Sequence, residues 1–228
     1  MDMVPTMVLV ADDSRDTGRK EALRGLADAV ARRGEAPVVP AFGSGSEVHR
    51  AVDSVEGPMV VVPAFVAGGD LASSRTFAGI DLDGRFDACP TPPLGAVPSI
   101  VGDLAGRLVD TGWVSGDGVV LAADGSTGQD ERRVVTDAAR MLSRRLGSPV
   151  QVGYLNSWAP SVGDAVERLR RNGRDNVAVA AWRLVEGRDY DRLHEMGATS
   201  VTAPLWPSEI VVDSLLAQHR AAKARLVA

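Results

Sequence analysis

A chain of 228 residues holds one large domain or two of about 110 each. An apolar share of 45% is enough for real cores, and a charged share of 24% is ordinary. The net charge of −5 excludes the clustered basic footprint that nucleic-acid phosphates require, and no apolar run approaches the roughly 20 residues that span a bilayer.

The first element is the continuous apolar run opening MVLVADDS (7–14), the pattern of a strand buried on both faces. Asp13, Ser14, Asp16 and Thr17 are cap-type residues for a helix starting near 17, whose apolar stripe is Leu23, Leu26, Ala27 and Val30. A second stripe, Val48, Ala51, Val52 and Val55, precedes the apolar strand MVVVPAFVAGG (59–69), and TPPLG (91–95) leads into a further helix. The turn-rich DTGWVSGDG (110–118) then closes the first half.

After it the order begins again. VVLAADGS (119–126) echoes MVLVADDS at an offset of 112, which also matches Arg32-Arg33 with Arg144-Arg145, Pro37 with Pro149 and Phe42 with Tyr154. The stripes recur as Val135, Ala138, Ala139, Leu142 and as Val162, Ala165, Val166, Leu169. VAVAAWRLVEG (177–187) answers the second strand, and TAPLW (202–206) answers TPPLG. The expected fold is α/β: two similar Rossmann- or flavodoxin-like domains, 1–112 and 113–228, each with a parallel sheet, arising by internal duplication and facing a cleft. Ligands of open α/β sheets bind beyond the carboxyl ends of the strands, so the informative loops are 11–17, 64–76, 123–131 and 182–192.

Those loops exclude several chemistries. Loop 11–17 has no glycine and carries the adjacent acids Asp12 and Asp13, so it does not cradle phosphate, and ADGSTGQ (123–129) lacks a P-loop lysine. Ser14 and Ser126 lack the glycines of a nucleophile elbow. His49, His194 and His219 fall in or beside helices and are expected to be solvated. Asp12 and Asp13 offer hard oxygen ligands or proton handling, with Asp70 as a further metal ligand; helix capping is the alternative. Arg15, Arg75, Arg132, Arg133, Arg183, Arg188 and Arg192 cluster in or beside the loops, and Arg183 and Arg188 are candidates for carboxylate capture. The single cysteine, Cys89, excludes an intrachain disulfide, and MDMVPTMVLV lacks the basic and long apolar regions of a signal peptide, so the expected setting is the cytoplasm.

ADDSRD, VVVPAFVAGG, VVLAADGS, DYDRLHEMGA and APL, in this order over residues 7–222, resemble the sirohydrochlorin chelatase family of class II tetrapyrrole chelatases. The resemblance implies chelatase-like domains around a cleft that takes an anionic tetrapyrrole of cobalamin or sirohaem metabolism. It also implies divalent cobalt, iron or nickel as a substrate, with no tightly bound cofactor. The family's first loop reads A-H-G-S-R-D; here Ala11, Ser14, Arg15 and Asp16 match, while Asp12 holds the metal-binding histidine's position and Asp13 the glycine's. A second family histidine falls at Leu71, or at Asp70 with a one-residue shift. The resemblance thus assigns catalysis to Asp12 and Asp13, metal to Asp12 and Asp70, and substrate contacts to Ser14, Arg15, Ser126, Arg183 and Arg188. Three readings stay open: a chelatase with carboxylates in place of histidine, an inactive homologue that carries tetrapyrrole, and a protein-interaction partner.

Overall fold

The computed structural model describes residues 4–14, 16–34, 36–125, 128–156 and 158–226. In chain order these form β1 (Thr6–Ala11), α1 (Thr17–Arg33), β2 (Val38–Phe42), α2 (Gly45–Asp53), β3 (Met59–Pro63), α3 (Leu71–Ala78), β4 (Ala88–Pro90) and α4 (Pro98–Asp110). The second series is β5 (Gly118–Ala123), α5 (Gln129–Leu146), β6 (Val150–Tyr154), α6 (Val162–Arg171), β7 (Val177–Ala181), α7 (Arg188–Leu193), β8 (Ser200–Val201) and α8 (Glu209–Leu226).

Two four-stranded parallel sheets result, ordered β2-β1-β3-β4 and β6-β5-β7-β8. Their registers carry the duplication: Met7 pairs with Val38 and, 112 residues later, Val119 pairs with Val150. The apolar runs form the central strands because a parallel strand covered on both faces has no solvent side. β3, β5 and β7 are buried at every position.

The chain divides into two compact units that are not contiguous halves. The first comprises Met1–Phe65, Ala72–Leu94 and Pro207–Ala228; the second comprises Val66–Leu71 and Gly95–Trp206. In the first unit α1 and α8 pack together on one face of the sheet, and Val48 and Val52 of α2 pack with Val8, Val10, Met59 and Val61 on the other. In the second unit α4 packs on α5, while Val162, Ala165, Val166 and Leu169 of α6 lie against Val120, Val177 and Val179. Each unit is therefore completed by the helix that follows the other series of strands.

Helix ends follow the expected chemistry. Asp16 caps α1, accepting from the Arg19 N–H at 3.2 Å, and Ser44 with Glu47 makes a capping box on α2. Two expectations need correction. Leu71, read as part of a loop, opens α3, and His219, expected in solvent, is 5% exposed. His219 is buried because its ring also finds a partner, Nε2 lying 2.9 Å from the Pro5 carbonyl. Among the described residues no helix is long and apolar enough to cross a membrane.

Close packing at glycine gives a direct check. A Cβ on Gly153 of β6 would stand 2.7 Å from Val162 Cα, on the backbone that starts α6, whereas one on Gly106 of α4 meets nothing within 4 Å. Urea unfolding should find Gly153→Ala destabilised by about 1–3 kcal/mol. Gly106→Ala should instead be stabilised by about 0.5–1 kcal/mol, from the entropy a helical glycine loses.

Candidate functional site

In the first unit the order β2-β1-β3-β4 puts the switch point between β1 and β3, so the loop after β1 occupies the usual ligand position. This is where Asp12 and Asp13 lie. The Asp12 carboxylate accepts from the Ser14 N–H at 3.0 Å and the Ser14 hydroxyl at 2.6 Å through one oxygen, and from the Thr76 hydroxyl at 3.0 Å through the other. This is an Asx turn tied to α3. The backbone of Asp12 is held too: its N–H donates to Ser73 Oγ at 2.8 Å and its carbonyl accepts from Arg19 Nε at 2.6 Å. Arg19 is 8% exposed and reaches Ser73 Oγ with its terminal nitrogen at 3.0 Å.

Asp13 differs. Its side chain is buried, and burial raises its pKa above the ordinary carboxylate value, reinforced by the negative charge of Asp12 and opposed by Lys20. The three acids thus have separate work: Asp12 shapes the turn, Asp16 caps the helix, and Asp13 is a carboxyl that keeps its proton longer than usual.

Next to this turn a groove of about 600 Å³ opens on the first unit, lined by Gly45, Ser46, His49, Arg50, Arg75 and Thr76. Arg75 is exposed, Arg50 is exposed with Nε donating to Ser46 O at 3.3 Å, and His49 pairs with Asp53 at 3.2 Å. Thr76 belongs to both groove and turn, so the two guanidinium groups border the Asp12 loop. Arg50 and Arg75 give the groove lining two guanidinium groups, with the Asp53 carboxylate on His49 and the Asp12 carboxylate on Thr76 beside it.

At the matching place in the second unit stands Asp124, 3% exposed at the end of β5. It accepts from the Leu71 N–H at 2.8 Å and from the Asn156 side-chain amide. Burial raises its pKa, while those hydrogen bonds and the Arg183 guanidinium pull it back. Arg183 is 4% exposed and its Nε donates to the Val185 carbonyl at 3.2 Å, so here it braces the loop after β7. Arg192 bridges Asp189 at 3.0 Å and Asn156 at 3.4 Å, and Arg188 is exposed at the start of α7. Asp70 is buried at the end of the segment 66–71. That segment is built by glycine: Gly68 has φ +74 and its carbonyl accepts from the Asp124 N–H at 2.9 Å, and a Cβ on Gly69 would stand 2.3 Å from the Trp182 carbonyl. Trp182 Nε1 donates to Ala67 O at 2.9 Å and locks the loop.

Arg15 and Ser126 lie outside the described residues. Among the described residues no three His, Cys, Asp or Glu side chains are grouped to hold a metal ion. Sequence reasoning passed over Arg19, Ser73, Thr76 and Asn156, which carry no local motif and meet the loops only through folding. It also passed over Asp124, whose signal was present as the counterpart of Asp12 at the offset of 112.

The CbiX family model matches residues 118–226. No curated protein matches the chain. Among solved structures, SirB from Bacillus subtilis with Fe3+ aligns with a TM-score of 0.71 and 16% identity, over 97% of this chain and 96% of that one. Sirohydrochlorin chelatase SirB from Bacillus subtilis subspecies spizizenii, in complex with cobalt, gives 0.68 and 14%, over 98% and 97%. A multi-domain protein of Deinococcus radiodurans with structural similarity to chelatases gives 0.65 and 18%, over 95% of this chain and 55% of that one. The chain has the chelatase fold over nearly its whole length.

The two acids make opposite predictions. Asp12→Ala leaves the Ser14 and Thr76 donors without their acceptor and should cost about 1–3 kcal/mol, with Asp12→Asn milder because one oxygen still accepts. Asp13 has a raised folded-state pKa, so its burden on stability appears as pH rises from the ordinary carboxylate value through the raised one. Asp13→Asn should therefore raise the urea midpoint at neutral pH. The gain should vanish below about pH 3.5, where the acid is protonated in both states.

Proposed function

We propose that the chain binds an anionic tetrapyrrole of cobalamin or sirohaem metabolism and holds it without inserting a metal, in the cytoplasm. The chelatase fold and the CbiX match over residues 118–226 supply the ligand class. The Arg50 and Arg75 groove supplies cations for the macrocycle's carboxylates.

The observation that carries the reading is the state of Asp12. It stands where the resemblance puts a metal-binding imidazole, and both its oxygens are engaged by hydroxyl and amide donors of the chain itself. Cobalt, iron and nickel favour imidazole, whereas a lone carboxylate suits harder ions. A metal at Asp12 would have to displace the hydrogen bonds that form the turn.

One observation favours a second reading, in which insertion persists. Burial lifts Asp13 above the ordinary carboxylate range, which makes it a better acceptor for a pyrrole proton than an exposed aspartate. Here Asp13 would be the base and cobalt, iron or nickel the second substrate.

An absorbance titration with sirohydrochlorin separates these readings. The proposal expects a saturable spectral shift that weakens as salt rises. Arg50→Ala with Arg75→Ala should weaken it by about tenfold or more. Cobalt insertion should match the protein-free control. A wild-type insertion rate above the control, lost in Asp13→Asn, selects the second reading, and no spectral change at all overturns both in favour of a protein-interaction role.

A further inference from the structure

At the opposite, amino end of the first unit's sheet lies a cavity of about 150 Å³. It is bounded by the starts of β1 and β2, the end of α1 and the second half of α8. Val4, Ala36 and Val38, each partly exposed, give it an apolar lining over the buried Met7 and Leu216, and Arg33, Arg220 and Lys223 stand around it.

The cations are not equivalent. Arg33 is neutralised by Glu209 and by Asp213 at 2.8 Å. Arg220, exposed, and Lys223, half-buried, have no carboxylate within ion-pair distance among the described residues. His219 supplies no further charge: burial, with Lys223 and Arg220 beside it, lowers its pKa, and its ring is engaged by the Pro5 carbonyl. A half-buried lysine beside apolar side chains gains from a counter-ion that brings its own apolar surface. An apolar cavity of about 150 Å³ holds a benzene-sized molecule, so a carboxylate of a few carbons fits.

We propose that this cavity binds a small organic monocarboxylate, its short alkyl tail on Val4, Ala36 and Val38 and its carboxylate between Lys223 and Arg220. The site is separate from the strand-end loops, so it stands whether or not the tetrapyrrole reading does.

The test is an amide NMR titration of the full chain with butyrate, with butanol and inorganic phosphate as controls. Butyrate in the tens of millimolar should shift the Val4, Gly34, Ala36 and Val38 amides and leave those of Arg50 and Arg75 in place. Arg220→Ala with Lys223→Ala should weaken binding by about tenfold, as loss of charge-assisted hydrogen bonds requires. Lys223→Arg should retain it. Both positions are solvent-accessible on α8, and an intact spectrum of each variant confirms folding. No butyrate shifts, or equal shifts with butanol, would overturn the charge recognition. Equal shifts with phosphate would overturn the apolar half, and an unchanged affinity in the double variant would overturn the assignment.

Discussion

A strand that ends while still buried must satisfy its last backbone groups without water, and the loop after β1 is organised by that demand. Arg19 and Ser73 meet it by binding the Asp12 carbonyl and N–H, from α1 on one side and α3 on the other. Once the main chain is pinned there, the Asp12 side chain turns back onto Ser14 and out to Thr76. The next acid, Asp13, is left in a desolvated position. Turn geometry and the raised pKa of Asp13 both follow from one main-chain clamp.

The duplicated sequence has been put to different uses in the two units. Asp12 and Asp124 occupy matching positions, yet Asp12 is locked in a local turn by hydroxyls, whereas Asp124 sits deeper among an amide N–H, an asparagine and a buried arginine. Burial decides the contrast. A partly exposed carboxylate is satisfied cheaply by neighbours, while at 3% exposure burial raises the Asp124 pKa and the Arg183 guanidinium offsets part of the rise. The arginines divide the same way: Arg183 is spent on the interior, and Arg50 and Arg75 face an open groove.

Much of the fold was legible because apolar periodicity reports burial directly. The 112-residue offset reappears in the strand registers, and the stripes Leu23–Val30 and Val135–Leu142 face the core. The exchange of α4 and α8 between the units was not legible, since both helices carry similar apolar faces and nothing local says which sheet each covers. At the candidate site the loops were legible but the partners were not. Ser73 and Thr76 lie some sixty residues from Asp12, and only the parallel pairing of β1 with β3 brings them together. Arg183 drew attention by interrupting an apolar run, a signal that marks a buried cation as readily as a ligand clamp.

Asp12 is held in a turn by Ser14 and Thr76, and the proposed function gives it no metal. Cobalt(II) titration followed by paramagnetic broadening of the backbone amides tests it directly. The Asp12, Ser14, Ser73 and Thr76 amides should keep their intensity while excess metal is added. Saturable broadening confined to those four, and lost in Asp12→Asn, would contradict it and make the aspartate a metal ligand.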